Sequence, residues 1–234
     1  MEIRLRSAFR QKAADVLEID LYSDVGPAGI DPRTGERREE GSAEAFRREL
    51  EAQPQAREIV FYVNSYGGDV KEGYGIYSLL RRHPAHKTAY VDGIAASIAS
   101  VICMAADRVV MRPASVMMLH NMEMGVFGNA AALRKAADDL DSMMEGNRRI
   151  YLNKSGGKCS EETLRALLDK GATLTAQEAL DLGLCDAIED AMPVLPPSLA
   201  QREAAQALWR VLQPAPPRRL RFTAISKNEE ETCV

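Results

Sequence analysis

The hydrophobic and polar positions of the chain follow two periods. Short runs rich in β-branched and aromatic residues predict strands, and apolar residues at helical spacing predict helices. The predicted strands are 16–22, 59–63, 87–91, 108–111, 115–119 and 185–188, and the predicted helices are 43–52, 70–83, 94–106, 129–152, 161–170 and 175–183. Because strands and helices alternate from residue 59 to 119, we predict an α/β domain with a mainly parallel sheet.

Several segments carry more specific expectations. Strand 59–63 is a continuous apolar run, as expected for a strand that is buried on both faces. Ser42 and Ser160 precede helices as N-caps, and Thr175 with Glu178 forms a capping box. Gly171 is a natural helix terminator.

The helix predicted over 129–152 is unusually long and carries a narrow apolar stripe. The stripe consists of Leu133, Ala136, Ala137, Leu140, Met143, Met144 and Tyr151. Such a helix packs either against a second subunit or against the core of its own chain, and the sequence favours the two interpretations equally.

Composition narrows the functional class. The chain has 234 residues, of which 46% are hydrophobic, and a net charge of -4, which gives no reason to expect nucleic acid as a partner. Its four cysteines are far apart, so neither a zinc site nor a disulfide framework is indicated, and reduced thiols fit a cytoplasmic protein. The N-terminus has no continuous apolar segment for secretion, and an organelle-targeting segment is the less favoured reading. The run 94–106 is too short to span a membrane.

The ends of the chain differ from its middle. Six of the eleven prolines lie in the last 45 residues, around a small amphipathic helix that contains Leu208, Trp209 and Leu212. We therefore predict an N-terminal segment 1–14, a main domain 15–190 and a proline-rich tail 191–234.

Three features supply candidate chemistry. Ser97 lies at the start of the buried helix, where unpaired amides favour a developing negative charge. Gly67 and Gly68 lie between a buried strand and a helix, and His120 ends a buried strand. Taken singly, Ser97 reads as a helix cap, His120 as a structural histidine and the glycines as turn formers. Together they supply the three kinds of group that a hydrolase active site requires: a nucleophile, a general base and oxyanion donors.

Four stretches carry a resemblance to a known family. They are Asn64–Val70, Gly93–Ser97, Met118–Asn121 and Leu174–Asp186. In order and spacing they resemble the proteolytic subunit of the Clp protease, and most of all its bacteriophage relatives, the Clp-type head maturation (prohead) proteases. The resemblance covers roughly residues 15–190.

The resemblance implies a serine peptidase of the Clp/crotonase-type fold, an α/β fold of repeated β-β-α units with a protruding long-helix handle at about 123–153. Ser97 would be the nucleophile, His120 the base and Asp169 the group that orients it. The amides of Gly68 and Ile98 would form the oxyanion hole. No metal and no organic cofactor is implied.

The resemblance also implies a setting for the site. The substrate, a peptide or protein, would lie in a groove lined by Tyr66, Gly67, Met122, Gly125, Val126, Phe127 and Gly128. Copies of the chain would assemble into a ring, or two stacked rings, and the helix 129–152 of the handle would mediate the ring-to-ring contact. In a phage, capsid or scaffold protein would be processed in the host cytoplasm, and docking of an ATP-driven (AAA+) unfoldase is left open.

The chain departs from the family pattern at three positions. Tyr66 replaces a proline before the glycine pair, Ala99 a glycine after the nucleophile, and Met122 a proline after the histidine. Tyr66 and Met122 border the groove and bear on specificity. Asp169 is placed by the phage-type spacing, and its rivals as the acidic group are Asp107, Glu123 and Asp186.

Two alternative functions stay open. A crotonase-type acyl-CoA enzyme would share the fold and a backbone oxyanion hole, but it would not need Ser97 and His120 together. A structural shell subunit would carry an idle triad. An esterase of the α/β-hydrolase class is disfavoured, because the chain order is Ser, His, Asp and the serine is not in a G-x-S-x-G elbow.

Overall fold

The computed structural model describes residues 9–13, 15–30, 35, 37–38 and 41–189. By its contacts the chain divides into two compact units, 1–197 and 198–234, and the described residues belong to the first. The segment before residue 9 and the proline-rich tail lie outside the described residues. The domain boundaries at 14 and 190 therefore stay predictions.

The α/β architecture predicted from the sequence is confirmed. The strands are β1 (Phe9–Ala13), β2 (Val16–Leu21), β3 (Gly29–Ile30), β4 (Arg37–Arg38), β5 (Glu58–Ser65), β6 (His86–Ala96), β7 (Arg108–Met111), β8 (Val116–Leu119), β9 (Ala172–Thr175) and β10 (Ala187–Ile188). The helices are α1 (Ala43–Ala52), α2 (Val70–Arg82), α3 (Ile98–Cys103), α4 (Ala130–Ser155), α5 (Glu161–Lys170) and α6 (Ala176–Asp181).

Most of the main sheet is parallel, as predicted. Strands β2, β5, β6, β7 and β10 run parallel in that order, and β1 adds an antiparallel strand beside β2. The carboxyl end of β6 leaves β7 and pairs instead with β8, which in turn pairs antiparallel with β9. Strands β1 and β9 are not among the predicted ones.

The predicted helix over 94–106 is wrong at both ends. Residues Ile94 to Ala96 extend β6 and pair with β8, and α3 covers only Ile98–Cys103. A small, apolar sequence is compatible with either structure, and pairing on both sides of β6 decides for the strand. Ala95 and Ala96 are buried and Ile94 is half-buried, which a helix would also allow, so the hydrophobic pattern could not separate the two interpretations.

One face of β5 is buried and the other is only partly covered. Ile59, Phe61 and Val63 are fully buried, whereas Val60 and Tyr62 are half-buried. Tyr62 stacks on Tyr90 of β6 with ring centroids 5.5 Å apart. The prediction that this strand is buried on both faces is therefore wrong, because aromatic stacking covers the second face only in part.

The predicted helix caps are confirmed. The hydroxyl groups of Ser42 and Ser160 accept hydrogen bonds from the amides of Ala45 and Thr163. Both halves of the Thr175 and Glu178 capping box are formed. Each such cap satisfies amides that the first turn of a helix leaves without a partner.

Helix α4 is divided between core and surface. Met144, Asn147, Tyr151 and Ser155 in its second half are buried, while the residues of its first half are exposed or half-buried. Leu133, part of the predicted stripe, keeps 49% of its surface exposed. None of the helices in the described part of the chain combines the length and apolar composition needed to cross a membrane.

Two helix glycines allow a matched test of packing. A Cβ at Gly73 of α2 would lie 2.0 Å from Cγ1 of Ile98, whereas nothing lies within 4 Å of a Cβ at Gly146 of α4. We expect Gly73→Ala to lower the free energy of unfolding by about 1–3 kcal/mol through overpacking. Gly146→Ala should raise it by about 0.5–1 kcal/mol, because alanine favours helix.

Urea unfolding of the two variants beside the wild type measures both effects. Equal stability of Gly73→Ala and the wild type would contradict the close approach of α2 to α3.

Candidate active site

Three of the predicted motifs meet at one edge of the sheet. Gly67 and Gly68 follow β5, Ser97 follows β6, and His120 follows β8. Strand β6 pairs in parallel with both neighbours at this edge, where Ala95 faces Ser65 and Ala96 faces Met118. The Ser97 turn therefore lies between the glycine loop and His120, since the carboxyl ends of parallel strands meet at one edge.

Ser97 has a strained backbone. Its φ is 53° and its ψ is -130°, and it is the one non-glycine residue with positive φ in the described part of the chain. Its N–H donates to Met118 O at 2.9 Å, and its carbonyl accepts from the Ser100 amide at 3.0 Å. Such a conformation costs on the order of 1–3 kcal/mol and persists where the surroundings enforce it.

The hydroxyl of Ser97 does not cap the helix. The side chain makes no capping hydrogen bond, although Ser97 occupies the N-cap position of α3. The reading of Ser97 as a simple helix cap is therefore wrong. Since α3 has six residues, local amides matter more here than a helix dipole.

The glycine pair is required by close backbone contacts. A Cβ at Gly67 would lie 2.9 Å from the Ser97 Cβ, and a Cβ at Gly68 would lie 2.0 Å from Val25 O. Both glycines have positive φ, 95° and 141°. Val25 also bonds to the loop on both sides of Gly68, from its N–H to Gly67 O at 2.7 Å and from the Asp69 N–H to its carbonyl at 2.8 Å.

The amides of the glycine loop and of the Ser97 turn differ in their hydrogen bonds. The Gly67 N–H donates to Ser65 Oγ at 3.1 Å. Within the described residues, the amides of Gly68 and Ile98 are not used in a hydrogen bond to another protein group. Amides next to a serine hydroxyl are the donors that acyl transfer uses to bind an oxyanion.

The ring of His120 has a defined tautomer. Its Nδ1 lies 2.5 Å from the carbonyl oxygen of Asn121. Because a carbonyl only accepts, Nδ1 carries the proton, and in the neutral ring Nε2 is the basic nitrogen. Burial lowers the pKa of His120, and the Asn121 carbonyl and the charge of Glu123 oppose that shift only in part. The shift therefore favours the neutral imidazole.

Asp169 contacts the residue after the histidine. Its Oδ1 accepts a hydrogen bond from Asn121 Nδ2 at 2.7 Å. The position that faces the His120 Cβ is Gly171, where an added Cβ would lie 3.9 Å away. Asp169 and His120 are thus linked through Asn121. Its side-chain amide donates to the Asp169 carboxylate, and its backbone carbonyl accepts from the His120 imidazole.

Two of the rival carboxylates lie elsewhere. Asp107 accepts from the Lys87 amide at 2.8 Å, and Asp186 accepts from the Val109 amide at 2.6 Å. These amides are at the amino ends of β6 and β7, the edge opposite Ser97. The third rival, Glu123, is exposed and acts on the His120 pKa through its charge.

The predicted groove residues differ in exposure. Tyr66 and Met122 are half-buried, and the Met122 amide meets Met144 Sδ at 3.3 Å. The segment from Gly125 to Gly128 is exposed, and Phe127 keeps 97% of its surface open. In the part of the chain that the structure describes, no group of three or more His, Cys, Asp or Glu side chains could hold a metal ion.

Three residues around the site received no role from the sequence alone. Asn121 stood in a quoted motif without a role, and Ser100 and Tyr151 had none at this site. Ser100 Oγ lies 2.6 Å from both Ser97 O and Tyr151 Oη. The i, i+3 spacing of Ser97 and Ser100 is a weak local signal, but a partner 51 residues away leaves none in the sequence.

Comparisons with known proteins find one family and several relatives to which the chain is similar. The family model described as Clp protease matches residues 42–192. The ATP-dependent Clp protease proteolytic subunit 1 of Chlamydia abortus is 32% identical over 143 residues, which are 59% of this chain and 73% of that protein. Its counterpart in Chlamydia caviae is also 32% identical over 143 residues, 59% of this chain and 74% of that protein. The Streptomyces avermitilis counterpart is 28% identical over 155 residues, 65% of this chain and 70% of that protein.

The protonation of His120 can be measured directly. We expect its imidazole to titrate with a midpoint below the ordinary value of about 6.5, because burial disfavours the charged ring. Proton NMR of the imidazole signals, assigned with His120→Gln, measures the midpoint in the folded protein. A midpoint at or above that of the chain unfolded in urea would contradict the expectation.

Proposed function

Since the chain belongs to the Clp protease family, we propose that it is a serine-type endopeptidase with Ser97 as nucleophile and His120 as general base. The observation that carries this proposal is the strained Ser97 turn, set between the Gly67–Gly68 loop and the strand that precedes His120. The fold is of the Clp/crotonase type, so the fold alone does not choose the chemistry.

The proposed reaction proceeds by acyl transfer. Ser97 Oγ attacks the scissile carbonyl carbon while its proton passes to Nε2 of His120, which contributes roughly 10²- to 10⁴-fold in rate. The carbonyl oxygen becomes an oxyanion that accepts hydrogen bonds from the Gly68 and Ile98 amides, each worth about 10²- to 10³-fold. His120 then protonates the leaving amine, and water hydrolyses the Ser97 ester by the same steps in reverse.

The proposed role of Asp169 is indirect, because Asp169 contacts Asn121 and not the imidazole of His120 in these hydrogen bonds. Its carboxylate holds the Asn121 side chain, and the Asn121 backbone carbonyl holds the Nδ1 proton of His120. Asp169 and Asn121 are therefore positioning residues for the base. This arrangement also leaves the pKa of His120 low, because no charged group is placed directly on Nδ1 by these bonds.

The proposed substrate is an extended peptide segment. Tyr66 and Met122 would border the scissile bond, since they adjoin the glycine loop and the histidine in the chain. The exposed residues Gly125 to Gly128 would line the groove further out. An exposed strip with open backbone groups is suited to pairing with an extended peptide.

We also propose that the protein works as a homo-oligomeric ring, or as two stacked rings. The segment before α4 and the start of α4 expose large apolar side chains, among them Met124, Val126, Phe127 and Leu133. Contiguous apolar residues at the surface of a single protomer indicate a protein interface.

The biological substrate has two candidates. The sequence motifs resemble those of phage head maturation proteases, which supports capsid or scaffold protein as the substrate. The three bacterial relatives are named as proteolytic subunits of an ATP-dependent protease. That name favours a second candidate substrate: protein chains that an ATP-driven unfoldase would deliver to this protein as a proteolytic subunit.

Active-site labelling tests the peptidase assignment. A fluorophosphonate should label the wild type at Ser97, and Ser97→Ala should lose both the label and peptide hydrolysis. His120→Ala should slow labelling by about 10²- to 10⁴-fold, the range for general-base catalysis. The mass of the oligomer, measured on the same samples, serves as the control for folding.

The labelling also decides between the alternatives. A wild type that does not react with the fluorophosphonate would support the crotonase-type acyl-CoA enzyme. Assembly without any peptide cleavage, unchanged in Ser97→Ala, would support a shell subunit with an idle site.

A double variant tests the route from Asp169 to His120. We expect Asn121→Ala and Asp169→Ala each to lower kcat, but by less than His120→Ala does. Because Asp169 acts through the Asn121 side chain, the double variant should be no slower than the slower single variant. Losses that multiply in the double variant would show that Asp169 acts by a separate route.

A further inference from the structure

A chain of buried hydroxyl groups ends on the nucleophile turn. Ser100 Oγ lies 2.6 Å from the Ser97 carbonyl oxygen and 2.6 Å from the Tyr151 hydroxyl. Ser100 is fully buried, and Tyr151 keeps 2% of its surface exposed. A carbonyl only accepts hydrogen bonds, so Ser100 donates to Ser97 and the Tyr151 hydroxyl donates to Ser100.

The direction of these bonds is stable over the working pH range. Burial raises the pKa of Tyr151 far above its ordinary value, and the hydrogen bond to Ser100 opposes that shift only in part. The phenol therefore keeps its proton and remains a donor. Neither hydroxyl takes part in the proposed acyl transfer.

The Ser97 carbonyl and the Ile98 amide belong to one peptide unit. That unit is planar, and because the described chain has no cis peptide bond its C=O and N–H point in opposite directions. Whatever holds the carbonyl therefore also aims the amide. Two donors hold it, the Ser100 N–H at 3.0 Å and the Ser100 hydroxyl at 2.6 Å.

We propose that Ser100 and Tyr151 are positioning residues that aim the Ile98 amide at the oxyanion. Tyr151 orients the Ser100 hydroxyl, Ser100 holds the Ser97 carbonyl, and the shared peptide plane then directs the Ile98 N–H outward into the site. The inference rests on the proposed peptidase function. It extends the site from the surface edge of the sheet into the core between α3 and α4.

The chain offers a matched pair of substitutions. Tyr151→Phe removes one hydroxyl and keeps the ring that fills the core. Tyr74→Phe is the control, because the Tyr74 hydroxyl also meets α4, at Met143 O with 3.5 Å, but makes no hydrogen bond to the Ser97 turn in the described structure. A further variant, Ser100→Ala with Tyr151→Phe, removes both hydroxyls together and leaves no buried donor without an acceptor.

Peptide hydrolysis and inhibitor binding separate positioning from packing. Loss of an oxyanion donor costs about 10²- to 10³-fold in kcat. Tyr151→Phe keeps the Ile98 amide and removes only a hydroxyl that helps to orient it, so kcat should fall by less, about three- to thirtyfold, with KM unchanged. A peptide aldehyde, which forms a tetrahedral adduct with the serine, should bind to Tyr151→Phe more weakly by the same factor. Tyr74→Phe should match the wild type within about twofold in kcat and in aldehyde affinity.

The outcomes are distinct. Wild-type kcat and aldehyde affinity in Tyr151→Phe would overturn the inference while leaving the proposed function in place. A loss that Tyr74→Phe shares, or one that appears as a rise in KM without weaker aldehyde binding, would also overturn it. Failure of the wild type to react with a fluorophosphonate at Ser97 would overturn both proposals. Thermal unfolding of each variant confirms that the folded protein is compared.

Discussion

The carboxyl end of β6 is the constraint on which the rest of the structure depends. Its last residues pair with β5 on one side and with β8 on the other, and the Ser97 amide continues this pairing to Met118 O. Because hydrogen bonds fix the backbone of this strand end on both sides, the change of direction into α3 is confined to a sharp turn at Ser97. That turn has a positive φ at Ser97 and requires a residue without a Cβ at position 67.

The surroundings of His120 balance two opposing effects. Burial favours a neutral ring, and the Asn121 carbonyl and the Glu123 charge favour a protonated one. A carboxylate placed directly on Nδ1 would shift the balance towards the protonated ring, because an opposite charge stabilises imidazolium. Holding the ring by a carbonyl, with Asp169 one residue further away, keeps the tautomer defined and favours the neutral ring.

Exposed apolar side chains lie just before α4 and at its start. The first half of α4 contributes little to the core, and Phe127 just before it is almost fully exposed. Apolar side chains in water cost free energy that contact with another surface recovers. The second half of the long helix therefore packs against its own core, as one of the two interpretations predicted, and packing of its exposed first half against a second subunit stays a prediction.

The sequence by itself determined most of the elements, their caps and three parts of the candidate site. Ser42, Ser160 and the Thr175–Glu178 box act within one turn of a helix, and the glycine pair, Ser97 and His120 each follow a strand with a strong hydrophobic pattern. Only the tertiary structure decided that residues 94–96 are strand, that Asp169 meets Asn121, and that Tyr151 holds Ser100. Local patterns report interactions within a few residues, whereas these outcomes depend on partners that are distant along the chain and come together only when the sheet and its helices pack.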